Sequence, residues 1–278
     1  MQRRRFYAAP DAIGDSVIKL SGDESHHLAR VLRLRTGDEA FAFDGCGREY
    51  RCRVASVDAH SAQLEIIEAL ADTVESPVAL TLAQALAKGE KFDLVVQKAT
   101  ELGVRCIAPL ITENADVRLS DERAEKRTER WRRIALEALK QSGGRRLVDI
   151  RQPMALADFI ASMTMNERST TEARLAAHHQ NALLPALLVF SERGGLSISE
   201  ALSEVRHTQR VIALVGPEGG WSDLEFDLLE ACGATFVTLG PRILRTETAA
   251  LVAVTLIQHR LGDLSRRIST ESPQTQRY

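Results

Sequence analysis

Two apolar runs, each followed by a glycine-bearing loop, constrain the fold of this chain more than any other feature. Residues 211–215 (VIALV) lead into Gly-Pro-Glu-Gly-Gly at 216–220, and residues 235–239 (TFVTL) lead into a second loop at 240–248. A continuous apolar run bounded by glycine and proline predicts a strand buried on both faces. Ligands of open α/β sheets bind outside the carboxyl ends of the strands. The two loops therefore predict one crevice for a small molecule.

Helix-start signals follow both loops. Ser222 with Glu225 three residues later forms a predicted capping box, and Thr246 is a predicted cap for an apolar helix over 249–258. The first loop lacks the Lys-Ser/Thr of a P-loop and the glycine spacing of a dinucleotide-binding turn. A triphosphate or dinucleotide site is therefore disfavoured, and a tight turn without a ligand is the alternative for this loop taken alone.

Length and composition are those of an ordinary soluble protein. A chain of 278 residues with 44% hydrophobic content can bury a sizeable core and is expected to form two domains. Its formal charge of −2 does not by itself indicate a nucleic-acid partner. Basic residues slightly outnumber acidic ones in 1–60 and 101–150, and the reverse holds in 151–278. Any RNA-facing surface is therefore expected to be local and in the first half.

Cysteine spacing and hydropathy predict neither a metal site nor a membrane span. The four cysteines, Cys46, Cys52, Cys106 and Cys232, include no C-x-x-C pair, so they are expected to be reduced and without metal. The N-terminus has no apolar segment of a secretion signal, and the longest apolar stretch, 249–257, is too short to cross a bilayer. A cytoplasmic protein is the prediction.

The chain changes its pattern near residues 71–77, which are polar and end in proline. Before this point, two β-like runs at 40–43 and 49–54 flank an Asp-Gly turn, which predicts a hairpin, and a helical piece at 26–34 interrupts the strands of a small barrel. After it, strand-like and helix-like segments alternate, with a long charged helix at 120–140. That alternation predicts a mostly parallel sheet covered on both faces.

Five motifs in the same order resemble the RsmE family of 16S ribosomal RNA uridine methyltransferases, in the SPOUT (α/β-knot) class. Besides the two loops, they are Arg-Arg-Phe-Tyr at 4–7 with the segment 26–38, Lys-Gly-Glu-Lys at 88–91 with 97–104, and 130–143. The resemblance covers most of the chain. It implies a PUA-like RNA-binding β-barrel at 1–72, a C-terminal α/β-knot domain with a parallel sheet at 77–262, and a polar tail at 263–278.

The resemblance also implies the cofactor, S-adenosylmethionine, held mainly by backbone groups of the two loops. Adjacent glycines let backbone face a flat, uncharged or zwitterionic ligand, which suits its adenosine part. The implied cofactor wall consists of Leu214, Gly216, Pro217, Glu218, Gly219, Gly220, Leu239, Gly240, Ile243, Leu244 and Thr248.

Arg245 and Glu247 are the predicted catalytic residues. N3 of uracil becomes a good nucleophile only as its proton leaves, so an arginine near the carbonyl oxygens and a carboxylate that accepts the proton would both help. The alternative is a structural ion pair that closes the loop.

The predicted partners are 16S rRNA within the small ribosomal subunit and, from the resemblance, a second copy of the chain in a homodimer. Basic side chains interleaved with aromatics can contact phosphates and stack on unpaired bases. Each could equally be an ordinary surface residue, and His26 and His27 are expected to support the barrel. The RNA candidates are Arg4, Arg5, Phe6, Tyr7, Arg30, Arg33, Arg132, Arg145 and Arg146.

Two segments depart from the family pattern. The family usually has a small residue followed by hydrophobic residues where this chain has residues 114–118, which puts an RNA-facing loop in question. Gly144 stands where the family commonly has an arginine. Two other functions stay open: the same methyl transfer at another RNA position, and a noncatalytic RNA-binding module of this fold.

Overall fold

The computed structural model describes residues 3–58, 61–71, 76–115, 120–163, 185–205 and 209–266. The predicted limit between the domains falls largely on residues outside these ranges, so it stays a prediction. Most of the predicted polar tail, 263–278, also lies outside them. No helix of the described residues is long and apolar enough to cross a membrane.

The N-terminal domain is a five-stranded sheet. Its strands, in the order β1-β3-β4-β5-β2, are β1 (Arg5–Tyr7), β2 (Val17–Lys19), β3 (Glu39–Phe43), β4 (Glu49–Val57) and β5 (Ala62–Ala69). The predicted hairpin is confirmed as β3 and β4, which pair antiparallel. Asp44 Oδ1 closes its turn by accepting the backbone N–H groups of Cys46 at 2.7 Å and Arg48 at 3.0 Å. The predicted helical piece begins as α1 (Gly22–His26) and continues as a π-helical turn, His27–Val31.

The C-terminal domain is an α/β unit with eight parallel strands. They are β6 (Ala79–Ala85), β7 (Cys106–Ile111), β8 (Asp149–Ile150), β9 (Met154–Ala155), β10 (Ala186–Phe190), β11 (Leu196–Ser197), β12 (Arg210–Val215) and β13 (Thr235–Thr238). The strand order is β11-β13-β10-β12-β6-β7-β8, and β9 pairs with β7. Its helices are α2 (Lys91–Glu101), α3 (Asp121–Ser142), α4 (helical at 156–163), α5 (Ile198–Glu204), α6 (Asp223–Ala231) and α7 (Thr246–Leu261). The predicted parallel sheet is confirmed.

Both faces of this sheet are buried. In β12, Val211, Ala213 and Val215 pack into one apolar cluster with α2, α3 and α7, whereas Ile212 and Leu214 pack into another with α4 and α6. Alternate residues of a strand point to opposite faces, so a strand covered on both sides needs an unbroken apolar run. This burial is the physical reason for the VIALV sequence.

A buried ionic cluster joins the two domains. Arg5 on β1 donates from Nε to Glu49 Oε1 at 2.6 Å, and Arg145 Nη2 lies 2.9 Å from Glu49 Oε2. The Nη1 and Nη2 groups of Arg5 donate to the carbonyls of Leu139 at 2.9 Å and Gly144 at 2.7 Å, at the carboxyl end of α3. These two arginines and Glu49 are 2–7% exposed. The first strand is thereby fixed to a helix of the other domain.

A second buried ion pair lies beside this cluster. Lys140 near the end of α3 contacts Glu24 on α1, and both side chains are under 10% exposed. Burial raises the pKa of Glu24 despite the neighbouring ammonium. Burial alone would lower the pKa of Lys140, but its hydrogen bonds to Glu137 and Glu24 raise it above the usual value. The lysine therefore stays charged at this junction.

Three of the predicted RNA contacts are corrected by this arrangement. Arg5 and Arg145 use their guanidinium groups inside the junction, and Phe6 is fully buried in the core of the N-terminal sheet. A side chain buried inside the protein has no surface to offer a nucleic acid. We therefore leave Arg5, Phe6 and Arg145 out of the RNA surface.

Candidate active site

A large cleft lies at the carboxyl ends of three neighbouring strands, β10, β12 and β13. Because β10 lies between the other two, the loops that follow β12 and β13 approach each other from either side of it. The cleft has a volume of about 1060 Å³, large enough for a cofactor-sized ligand. The structure thus brings together the two loops that the sequence singles out.

Eight of the eleven residues proposed for the cofactor wall line this cleft. They are Gly216, Pro217, Glu218, Gly219, Leu239, Gly240, Ile243 and Leu244. The other three do not. Leu214 is fully buried in an apolar cluster against the sheet, Gly220 is buried at the end of the first loop, and Thr248 is exposed on α7. We therefore leave these three out of the cleft wall.

The first loop is held closely by its neighbours. Trp221 is buried, and its indole Nε1 donates to the carbonyl of Phe190 at 3.2 Å. A side chain at Gly216 would meet the Trp221 ring at 3.1 Å. Asn114, in the segment that departs from the family pattern, donates from Nδ2 to the carbonyl of Gly220 at 3.1 Å. This asparagine therefore supports the first loop.

Gly220→Ala is expected to weaken binding of S-adenosylmethionine by about tenfold or more, because strain of one to three kcal/mol falls within the loop. Gly220 has a φ of +71°, and an added Cβ would lie 2.4 Å from Glu192 Oε1, on a side chain that lines the cleft. Calorimetric titration measures the change.

Gly233→Ala is the matched control for this substitution. Gly233 has a φ of +73°, but an added Cβ would meet no atom within 4 Å. Its loss of stability should be similar, and its affinity for the cofactor should equal that of the wild type. Equal affinities for all three proteins would contradict the role given to the first loop.

The second loop forms the opposite wall and ends at α7. The helix begins at Thr246, with Arg245 as the N-cap residue, so the prediction that Thr246 caps it is wrong. The hydroxyl of Thr246 instead donates to the carbonyl of Gly216 at 2.6 Å, on the first loop. Ile243 on this loop is 87% exposed, an apolar surface that a ligand or a partner chain could cover.

The predicted start of the helix at Ser222 is confirmed, with both hydrogen bonds of its capping box present.

Charged groups surround the mouth of the cleft. Lys91 at the start of α2 contacts the carboxylate of Glu218 on the first loop. That hydrogen bond raises the pKa of Lys91, and the charge of Glu247 adds to the effect while Arg245 opposes it. Arg245 is exposed and lines the cleft. Lys91, Glu218, Arg245 and Glu247 are therefore close enough to interact electrostatically.

Glu247 differs from Arg245 in its surroundings. It is half-buried on the first turn of α7 and is not among the residues that line the cleft. Its Oε2 atom is buried, and no described residue donates a hydrogen bond to it. No ion pair between Arg245 and Glu247 occurs among the described residues. The carboxylate therefore has an acceptor position to spare.

Sequence reasoning missed a third contribution to the cleft, from the end of β10. An apolar run at 186–190 followed by Ser191, Glu192 and two glycines at 194–195 repeats the pattern of the other two loops and could have revealed it. Lys91 was noted only as part of a motif. The additional lining residues are Lys91, Phe190, Ser191, Glu192, Val215, Thr238, Pro241, Arg242, Thr246 and Ala249.

The remaining RNA candidates lie on the surface. Arg4, Arg30, Arg33, Arg132 and Arg146 are exposed, and Tyr7 is half-buried. Beside Arg30, the apolar side chains of residues 31 and 32 are 60% and 36% exposed, and Arg33 has a φ of +54°. π-helical turns and residues with strained backbone are both often found at functional sites, and here the strained residue follows the turn by two positions.

Two thiols are shielded from chemistry by burial. Burial raises the pKa of Cys52 to about 12 and that of Cys106 to about 11, so both stay protonated at neutral pH. All four cysteines are free. Within the described ranges, no group of three or more His, Cys, Asp or Glu side chains is placed to hold a metal ion.

Comparison with known families gives two matches along this chain. The profile of an RNA methyltransferase domain matches residues 74–258, which include both loops of the cleft. The profile of an RNA methyltransferase PUA domain matches residues 20–67, within the N-terminal sheet.

Individual relatives match over nearly the whole chain. Ribosomal RNA small subunit methyltransferase E of Synechocystis is 33% identical over 91% of this chain and 76% of its own length. The protein of that name from Bacillus subtilis is 30% identical, over 86% and 89%. The crystal structure of the Neisseria gonorrhoeae protein, bound to S-adenosyl methionine, superposes with a TM-score of 0.78 at 30% identity, over 94% of this chain and 99% of that one.

Proposed function

Because this chain belongs to the family of ribosomal RNA small subunit methyltransferase E, we propose that it methylates N3 of a uridine in 16S rRNA. It is an RNA methyltransferase that uses S-adenosylmethionine, with a SPOUT-class domain and a preceding PUA domain. The observation that carries the proposal is the single cleft formed by both glycine-bearing loops, with Arg245 at its edge.

The cleft suits the cofactor in shape and chemistry. Residues 216–219 line one side of the cleft, and Leu239, Ile243 and Leu244 offer apolar surface opposite. Glu192 and Glu218 supply negative charge at the rim, which complements a cationic ligand. When bound there, S-adenosylmethionine supplies an activated methyl group on its sulfonium.

Arg245 is proposed to stabilise the negative charge that develops on the uracil as N3 loses its proton. Methyl transfer needs little covalent chemistry from the protein, so positioning and electrostatics carry most of the acceleration. A guanidinium at the cleft edge can donate to a uracil carbonyl oxygen. As N3 bonds to the methyl carbon, the carbon–sulfur bond of the cofactor would break and neutral S-adenosylhomocysteine would leave, while the guanidinium stabilises the negative charge on the uracil carbonyl oxygens.

Glu247 is proposed to accept the N3 proton, directly or through a water molecule. One of its carboxylate oxygens receives no hydrogen bond from the described residues. A free acceptor within the charged group at the cleft mouth is what proton transfer requires. Since Glu247 does not line the cleft of one chain, the route from N3 to this oxygen needs the bound RNA or a second copy of the chain to complete it.

The proposed RNA surface lies on the N-terminal domain, on α3 and on the segment that follows α3. Its members are Arg4, Tyr7, Arg30, Arg33, Arg132 and Arg146, all at least partly accessible. They can contact phosphates and stack on an unpaired base, while the target uridine leaves its stack to enter the cleft. We place this activity on the small ribosomal subunit in the cytoplasm and propose a homodimer, in which the exposed Ile243 would be covered.

The proposed function is tested with labelled S-adenosylmethionine and small-subunit particles from cells that lack the protein. Nucleosides from the digested RNA are then separated. We expect the label as 3-methyluridine at one site. Label on another nucleoside would overturn the assignment of N3 and favour methyl transfer at another RNA position. Cofactor binding without transfer would instead identify a noncatalytic RNA-binding module.

A further inference from the structure

A buried glutamine lies behind the two loops without touching the cleft. Gln84, near the end of the central strand β6, is fully buried and is paired in register with Val215, the last residue of β12. Its Nε2 group donates to Thr246 Oγ1 at 2.8 Å and to the carbonyl of Ala85 at 3.1 Å. Its Oε1 atom is buried and accepts no hydrogen bond from the described residues, so two donor contacts alone offset the cost of burying the amide.

The hydrogen bonds of Gln84 continue into both walls of the cleft. Thr246, which begins α7 directly after Arg245, uses its single hydroxyl proton on the carbonyl of Gly216 at 2.6 Å. Its oxygen therefore accepts from Gln84, and the chain of donors runs in one direction, from amide to hydroxyl to carbonyl. Because the carbonyl of Ala85 can only accept, the Gln84 atom that contacts it must be the nitrogen.

This relay joins three parts of the molecule that are far apart in sequence. Gln84 belongs to the rigid centre of the sheet, Gly216 begins the first loop, and Thr246 ends the second. Linked hydrogen bonds polarise one another and are stronger in a low-dielectric interior. Loss of one member would remove one hydrogen bond from each neighbour in the relay.

We infer that Gln84 is a positioning residue that couples the two cofactor loops through Thr246 and so fixes Arg245 relative to the first loop. Gln84 itself touches neither the cofactor nor the RNA. The effect on catalysis rests on the proposed function, whereas the coupling of the loops does not. A displacement of about 1 Å at a reacting centre can lower the rate a hundredfold, so a small shift of the second loop would suffice.

Hydrogen–deuterium exchange of the apo protein tests the coupling. Gln84→Met and Thr246→Val each remove a donor with little change in size. Each should speed amide exchange by about tenfold or more in both loop segments, 216–220 and 239–246, since a lost hydrogen bond lowers the cost of local opening. Thr246→Ser keeps the hydroxyl and should exchange like the wild type.

Thr128→Val is the control for losing a buried threonine hydroxyl elsewhere. Thr128 is fully buried on α3, and its Oγ1 donates to the carbonyl of Ala124 at 2.8 Å and lies 3.0 Å from Gln152 Oε1. Amide exchange in Thr128→Val should be faster near α3 and unchanged in both loops. The inference is wrong if Gln84→Met and Thr246→Val affect only one loop or neither, or if Thr128→Val affects both loops equally.

Measuring kcat for the same variants gives a second test. Gln84→Met and Thr246→Val should lower kcat by about ten- to a hundredfold with a smaller loss of cofactor affinity, and Thr246→Ser should restore kcat. A fall in affinity without a fall in kcat would overturn the claim that Arg245 is positioned. If the wild type transfers no methyl group to RNA, the proposed function fails, and the exchange data still decide whether the loops are coupled.

Discussion

Arg245→Ala is expected to lower kcat by about a hundred- to a thousandfold, the usual cost of removing one group that stabilises developing negative charge. The affinity for S-adenosylmethionine should change by less than about threefold, because the guanidinium is proposed to face the uracil. Single-turnover methyl transfer to small-subunit particles gives the first quantity, and calorimetry gives the second. Arg245→Lys keeps the positive charge but loses the planar set of donors, so its kcat should lie between those of the wild type and Arg245→Ala.

Arg260→Ala is the matched control. Arg260 is an exposed arginine on the last turn of the same helix, α7, and does not line the cleft. Its kcat and affinity should equal those of the wild type. If Arg245→Ala loses cofactor affinity and turnover in equal measure, Arg245 supports the shape of the loop and is not a catalytic residue.

Glu49→Gln is expected to lower the free energy of unfolding by about 3–5 kcal/mol, as for other buried ion pairs that lose one partner. Glu49 is the carboxylate partner of two buried guanidinium groups, those of Arg5 and Arg145, and the substitution leaves both without a counter-charge. Urea denaturation monitored by tryptophan fluorescence and circular dichroism measures the change. The two probes should also show whether the domains still unfold together.

Glu39→Gln serves as the comparison within the same sheet. Glu39 is mostly exposed and lies 3.9 Å from Arg51, whose side chain is also accessible. A solvent-exposed pair of this kind contributes at most about 1 kcal/mol. A loss of that small size for Glu49→Gln too would mean that water enters the junction, and the rigid connection between the domains would have to be abandoned.

Local signals predicted the parts of the cleft that depend on neighbouring residues. The run at 211–215 is apolar because both faces of β12 are covered, and Ser222 with Glu225 forms its capping box within one helical turn. Such features are written in consecutive residues. The association of the two loops was also predictable, because the carboxyl ends of parallel strands share one edge of the sheet.

Features that depend on distant partners were not predictable in this way. Arg5 looks like an exposed cation beside aromatics, yet its acceptors are Glu49 and carbonyls at the end of α3, far away in sequence. Thr246 has the residue type of a helix cap, but its hydroxyl bonds to Gly216, 30 residues earlier. Burial of a polar group depends on which distant segments pack against it. The spacing of residues within one segment does not predict those segments.

The ionic junction between the domains limits how this protein can be dissected. A fragment that ends near residue 72 would keep Arg5 and Glu49 but lose the carbonyls of Leu139 and Gly144 and the guanidinium of Arg145. The complementary fragment would lose the contacts of Arg5 at the end of α3 and would leave Arg145 without its carboxylate partner. RNA-binding studies on an excised N-terminal piece would therefore sample a surface on which Arg5 and Glu49 have lost the partners that cover them in the intact chain.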